Sequence, residues 1–257
     1  MRARRHQRRV LFDGAADLYQ AYRRGYPPQL VSFVVETAGL GPGGAVLEVG
    51  CGTGQLTGSL ARHGLAVTAV DIGVSMIEAA RRRVHSSRVS FEAVSFEAFV
   101  AQDACFELIV SASAFHWVDP EVQFAKSARL LKPGGWLALM ATGESYEDPL
   151  GTVLRELWTA RGDDAGAWTW HGALPEIDIA GAAGLFGPPL ERSDSQRIAL
   201  PAETVIGVET TRATFLSWPE RVQQDFVLEL RDRLKPGEEV HVTQQTSLAM
   251  AQVLPRT

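Results

Sequence analysis

Only two cysteines, Cys51 and Cys105, occur in 257 residues. Two cannot build a disulfide framework, and their placement offers no metal-ligand spacing. No apolar run approaches the roughly 20 residues needed to span a bilayer, and the opening "MRARRHQRRV" has no apolar h-region of a secretory signal. Charge of one sign is equally scarce. A net charge of -5 gives no general reason to expect nucleic acid or an anionic membrane as partner. Internal repeats and low-complexity segments are also missing. The expectation is a cytoplasmic, reduced protein, monomer or homodimer, with one α/β domain over 1–257. One local excess stands out: Arg2, Arg4, Arg5, Arg8 and Arg9 crowd the first nine positions. A solvated tail explains them better than an anion-binding arm, since no second basic stretch supports the latter.

What the chain does have is alternation. Apolar runs at 45–50, 66–71, 89–94, 106–113 and 136–142 predict strands, the first buried on both faces. Between and before them, 26–40, 55–64, 75–84 and 119–131 carry helical spacing. Gly64 is placed to end the second helix, Ser75 and Glu78 stand at capping-box spacing, and Asp119 followed by Pro120 reads as an N-cap and first helical residue. This alternation predicts a doubly wound, mostly parallel sheet, whose ligand lies beyond the carboxyl ends of its strands. After residue 142 the pattern loosens into a stretch with Trp158, Trp168, Trp170 and His171. It reads as an insertion after strand five. A return to the sheet edge near "RIALPAE", a helix over 217–234 and a long strand over 240–253 follow.

The segment "LEVGCGTGQLT" (47–57) follows the first strand. Gly50, Gly52 and Gly54 let the backbone turn tightly and approach a ligand. Their G-x-G-x-G spacing differs from the G-x-G-x-x-G that seats a pyrophosphate. Glu48 would repel a diphosphate and suits an ammonium. Asp71, at the end of the second strand, can accept hydrogen bonds from ribose hydroxyls. A ribose-bearing, cationic, phosphate-free ligand is indicated, and S-adenosylmethionine fits that description better than NAD.

The chain resembles the class I S-adenosylmethionine-dependent methyltransferases, and within them the small-molecule branch of trans-aconitate methyltransferase type. The resemblance rests on "VLEVGCGTG", "VTAVDIGVSMIEAAR", "FELIVSASAFHWVDP", "LLKPGGWLAL" and the N-terminal "LYQAYRRGYPP". It implies a seven-stranded Rossmann-like sheet, with a cofactor core at 45–142 and an N-terminal cap at 1–25. It implies that Glu48, Gly50, Cys51, Gly52, Gly54 and Gln55 run along the methionine part of the cofactor. Asp71 would hold the ribose, with Ile72, Met76, Phe96 and Glu97 around the adenine. Ser111 and Ala112 would line the end of strand four, and Tyr19 and Arg23 would fold over the carboxylate end. Ser95 stands where the family usually has an acid, and Arg24 where it has a proline. Cys51 itself is expected to be a small packing residue rather than a nucleophile.

Methyl transfer to a small organic acceptor, leaving S-adenosylhomocysteine, is the activity this implies. His116, His171 and Glu144 are the candidate bases, His116 first because it follows strand four on the ligand side. Segments 143–187 and 201–234 would form a lid. Its aromatic character suggests a specialised metabolite. A carboxylate acceptor of central metabolism needs cations, which Arg155, Arg161, Arg192, Arg197 and Arg212 supply if the fold gathers any of them. A cyclisation or rearrangement on the same cofactor, cleavage of its aminobutyrate portion, and a non-catalytic sensor are the rival readings.

Overall fold

A computed structural model describes residues 11–162, 179, 182, 184–235 and 237–255. A 3₁₀ turn at Asp13–Ala15 leads into α1 (Ala16–Tyr22), then α2 (Pro28–Thr37), β1 (Ala45–Val49), α3 (Gln55–Arg62), β2 (Ala66–Asp71), α4 (Val74–Arg83) and β3 (Val89–Ala93). β4 (Phe106–Ala112) runs into a second 3₁₀ turn, Phe115–Trp117, and α5 (Pro120–Leu130). β5 (Leu131–Tyr146), α6 (Leu150–Thr159), β6 (Leu190–Pro201), α7 (Ala202–Thr210), α8 (Ala213–Leu216), α9 (Glu220–Arg233) and β7 (Glu239–Gln252) complete the order.

The seven strands form one sheet in the order β3-β2-β1-β4-β5-β7-β6. β3 through β5 pair in parallel, while β7 runs antiparallel to both β5 and β6. The sheet is therefore mixed, with β7 alone reversed. β7, last in sequence, lies between its two partners rather than at an edge. Strand order reverses between β1 and β4, and the crevice beyond their carboxyl ends is where such sheets take ligands. Val46, Leu47 and Leu108 are fully buried there, as parallel strands covered on both faces require.

Local signals explain most boundaries. Asp119 caps α5, its carboxylate accepting from the Glu121 amide at 3.1 Å. Gly64, with φ +74°, stops the chain after α3. One cap is not where sequence put it. Ser75 lies inside α4, whose first-turn amides, Ser75 N and Met76 N, instead donate to Asp13 Oδ1 at 2.7 and 3.3 Å. A carboxylate 62 residues upstream thus does the work expected of Ser75 and ties the N-terminal segment to α4. β5 is also longer than expected at both ends, because Leu131 pairs with Phe106 of β4 and β7 pairs with it as far as Tyr146.

Two apolar clusters include residues from the sheet. A third lies under α6–α9, where Leu154, Trp158, Val205, Phe226 and Leu230 are fully buried and pack with Val242 of β7. Trp158 and Phe226 meet with ring centroids 5.0 Å apart, and Trp158 and Trp218 at 4.7 Å. These helices are thus a layer with its own core. Trp168, Trp170 and His171, which were expected to build it, lie outside the described residues.

Candidate active site

The turn after β1 needs its glycines. Gly50, Gly52 and Gly54 have φ of +73°, +53° and +82°, all left-handed. A Cβ on Gly50 would stand 2.3 Å from Ala114 Cβ. Asp71 braces the turn, its Oδ2 accepting from Gly52 N at 3.0 Å and its Oδ1 from Gly73 N at 2.9 Å. Gly54 is the N-cap of α3 and lines neither of the two cavities at the turn.

Two adjacent cavities that share wall residues open at this turn. The smaller, about 100 Å³, lies between Asp71, Ile72, Met76, Phe96 and Val118, with Phe12 and Trp117 also on its wall. The larger, about 630 Å³, is lined by Glu48, Cys51, Gln55, Arg23, His116 and Glu144, and on its other side by residues of the helical layer. Tyr19, Gly50, Gly52, Ser113 and Trp117 border both. A flat apolar slot with a carboxylate at its rim suits an adenosine; the larger space suits an amino-acid tail and an acceptor.

The electrostatics of the larger cavity point the same way. Glu48 is 1 % exposed and its Oε2 has no hydrogen-bond partner. Burial pushes its carboxyl up to about 8, and the charge of Asp71 adds to this. Gln55 and Gln244, also buried, each present an Nε2 without a partner. Thr53 Oγ1 donates to Gln55 Oε1 at 2.9 Å, which leaves the amide nitrogen as the group on offer. Gln244 offers a further donor on the cavity wall, while Glu48 and Gln55, a buried acceptor and a buried donor, call for a ligand with complementary charges. The zwitterionic tail of S-adenosylmethionine meets that demand. Burial raises the Tyr19 and Tyr26 phenols above their ordinary value, so both stay neutral. Burial also pushes the Cys51 thiol up, with Glu48 and Asp71 adding to it, which makes Cys51 a packing group rather than a nucleophile.

Arg23 joins the two sides. Its guanidinium lies 5.6 Å from the Tyr19 ring centre, its Nε donates to Thr211 Oγ1 at 2.8 Å, and it stands 3.8 Å from Glu144. Glu144, a candidate base, thus shares the cavity wall with a cation. His116 lies in the 3₁₀ turn after β4, half-buried, its ring 4.7 Å from that of Trp117. His171 is outside the described residues.

Two expected contacts fall elsewhere. Ser111 points into the sheet, where its buried hydroxyl donates to the Val49 carbonyl at 2.7 Å. Ser113, two residues on and with φ +55°, takes its place on the cavity wall. Glu97 accepts from the Asp119 amide at 3.0 Å and lines neither cavity. Residues that sequence reasoning did not single out include Phe12, Trp117 and Gln244. Of the five arginines considered for an acidic acceptor, only Arg161 and Arg212 reach the cavity. Arg192 lies over Phe33, Arg197 pairs with Glu147, and Arg155 is exposed.

Known proteins agree with this geometry. A family described as a methyltransferase domain matches residues 47–139. An uncharacterized methyltransferase of Mycobacterium tuberculosis is 31% identical over 176 residues, covering 68% of this chain and 69% of that protein. The fold is shared with a proposed type II methyltransferase from Anaeromyxobacter dehalogenans, at TM-score 0.63 and 24% identity over 91% of this chain and 100% of that one. It is shared also with phosphoethanolamine N-methyltransferase 2 of Haemonchus contortus in complex with S-adenosyl-L-methionine, at TM-score 0.54 and 19% identity over 95% and 57% of the two chains. With a glycine turn, an aspartate at the end of β2 and a buried carboxylate in place, the chain belongs to the class I S-adenosylmethionine-dependent methyltransferases, enzymes whose methyl donor is S-adenosylmethionine.

Proposed function

We propose that this enzyme methylates a small organic molecule, with a specialised metabolite as the class that suits its walls. The observation that carries the reading is that the two cavities meet on shared walls at Gly50, Gly52 and Ser113. It leaves about 630 Å³ between the glycine turn and an aromatic helical layer, room for a cofactor tail and a small acceptor.

S-adenosylmethionine supplies the methyl group on a sulfonium. Asp71 accepts hydrogen bonds from its ribose, and Ile72, Met76 and Phe96 pack on its adenine. Glu48 receives the ammonium, while Tyr19, Arg23 and Gln55 serve the carboxylate end. The chain's main contribution is to hold two reactants in line, an effect worth on the order of 7–11 kcal/mol when orientation is good. α6–α9 act as the lid that keeps water away. His116 takes a proton from acceptors that must lose one.

Isothermal titration with S-adenosylmethionine, S-adenosylhomocysteine and NAD in parallel tests the cofactor assignment. Micromolar affinity for the first two and none for NAD is the expected result; binding of NAD alone, or of nothing, ends it. With the cofactor established, product mass separates methylation, which adds one CH₂ to the acceptor, from cyclisation, rearrangement or cofactor cleavage.

A further inference from the structure

Glu209 is fully buried and lines neither of the two cavities. It accepts four hydrogen bonds: from Tyr146 Oη at 2.8 Å, Trp158 Nε1 at 3.0 Å, and Arg212 Nε and Nη2 at 2.8 Å each. Its two oxygens are thereby committed. The side-on pairing fixes the guanidinium plane of Arg212 and leaves Nη1 outside the pair. The Arg212 side chain is 17% exposed and lines the larger cavity, with Trp158 and Trp218 as flat apolar neighbours on the same wall.

Gln244 is the second observation. It is 5% exposed, lines the same cavity, and its Nε2 has no partner. A fixed guanidinium and an unpartnered amide are both donors. The other charged groups on the wall are less available. Glu144 stands beside Arg23, and its charge is also felt by Arg212. Arg161 spends its fork on Glu229 at 2.7 Å and the Leu157 carbonyl at 2.9 Å. Glu48 faces the cofactor end. Arg24 is exposed at the rim.

We infer that the methyl acceptor carries a carboxylate, received by Arg212 Nη1 and Gln244 Nε2, with its apolar body against Trp218. Glu209 is then a positioning residue: it holds the guanidinium in the plane that a carboxylate needs and never touches the acceptor. The inference rests on the methyltransferase reading and narrows its acceptor class.

The test uses the full chain saturated with S-adenosylhomocysteine. Benzoate, cinnamate and decanoate are titrated against their primary amides. At least one acid is expected to bind tenfold or more tighter than its amide, and Arg212→Gln is expected to erase that preference while the affinity for S-adenosylhomocysteine changes less than threefold. If Arg212→Gln fails to fold, Gln244→Ala, which leaves Glu209 and its four donors intact, carries the test and should cut the preference at least threefold. The inference is overturned if no acid binds, if amides bind as well as acids, or if the preference survives both substitutions. Failure of S-adenosylhomocysteine to bind the unaltered protein, seen in the first titration, strikes the methyltransferase reading instead.

Discussion

The two walls of the adjacent cavities are made by different means. Around the glycine turn many of the working groups belong to one contiguous stretch, from Glu48 to Met76, and much of the geometry is backbone: left-handed glycines, and amides of Gly52 and Gly73 held on Asp71. The opposite wall is made of side chains from α6, the α7–α8 junction and β7, with Arg23 reaching over from the end of α1. The first is a local device that needs few other parts of the chain. The second exists only once distant segments have packed, so its chemistry can be retuned without disturbing the turn.

The sharpest way to break that contrast is Gly50→Ala. The new methyl would meet Ala114 at 2.3 Å from a left-handed backbone. Affinity for S-adenosylhomocysteine should fall by roughly a thousandfold, about 4 kcal/mol, with helical content by circular dichroism retained. Affinity within tenfold of the parent would mean that the turn is not the cofactor cradle.

His116→Ala should do the reverse: kcat lowered by about 10²–10⁴, with S-adenosylhomocysteine affinity changed less than threefold. An unaltered kcat removes His116 as base. Asp71→Ala should weaken S-adenosylhomocysteine by about 1.5–3 kcal/mol, roughly 10- to 150-fold, and calorimetry showing no change would free Asp71 of the ribose.

The last effect is a pH dependence. The Glu48 carboxyl lies at about 8 in the chain alone, above its ordinary 4.5, so it is protonated below pH 8. An ammonium beside it favours the carboxylate. Affinity for S-adenosylhomocysteine should therefore rise from pH 6 to 8, approaching tenfold per unit, with proton release on binding. Stability of the chain alone should move oppositely, greatest below about pH 4.5 as far as this group is concerned and declining until about pH 8. Both trends should vanish in Glu48→Gln. Calorimetry in two buffers of different ionisation enthalpy decides it: equal heats and a flat profile would separate Glu48 from the ammonium.

The same contrast explains what could be read from sequence. Strand alternation, the glycine turn, Asp71 and the Asp119 cap are short-range signals, and the sheet confirms the elements they mark. Signals of longer range were invisible. Asp13 reaches α4 across 62 residues, and Glu209 gathers Trp158 and Tyr146 from 51 and 63 residues away. Ser111 shows a third kind of miss. A two-residue step along a strand preserves its face, but the left-handed Ser113 turns the chain just after β4 and takes over the cavity wall.

The position of β7 has a consequence for how the protein is made. β6 is synthesised before β7, yet β7 is its one strand partner in the sheet, and β7 also covers the outer edge of β5. Trp136 waits for Gln252, and Leu190 for Met250. While the ribosome is still at work, the five parallel strands can assemble around the glycine turn, but β6 is left with bare amides and carbonyls. Closure of the sheet is therefore a late, long-loop event. A product cut short before residue 239 would carry the whole glycine turn, and also two open strand edges that invite association with other chains.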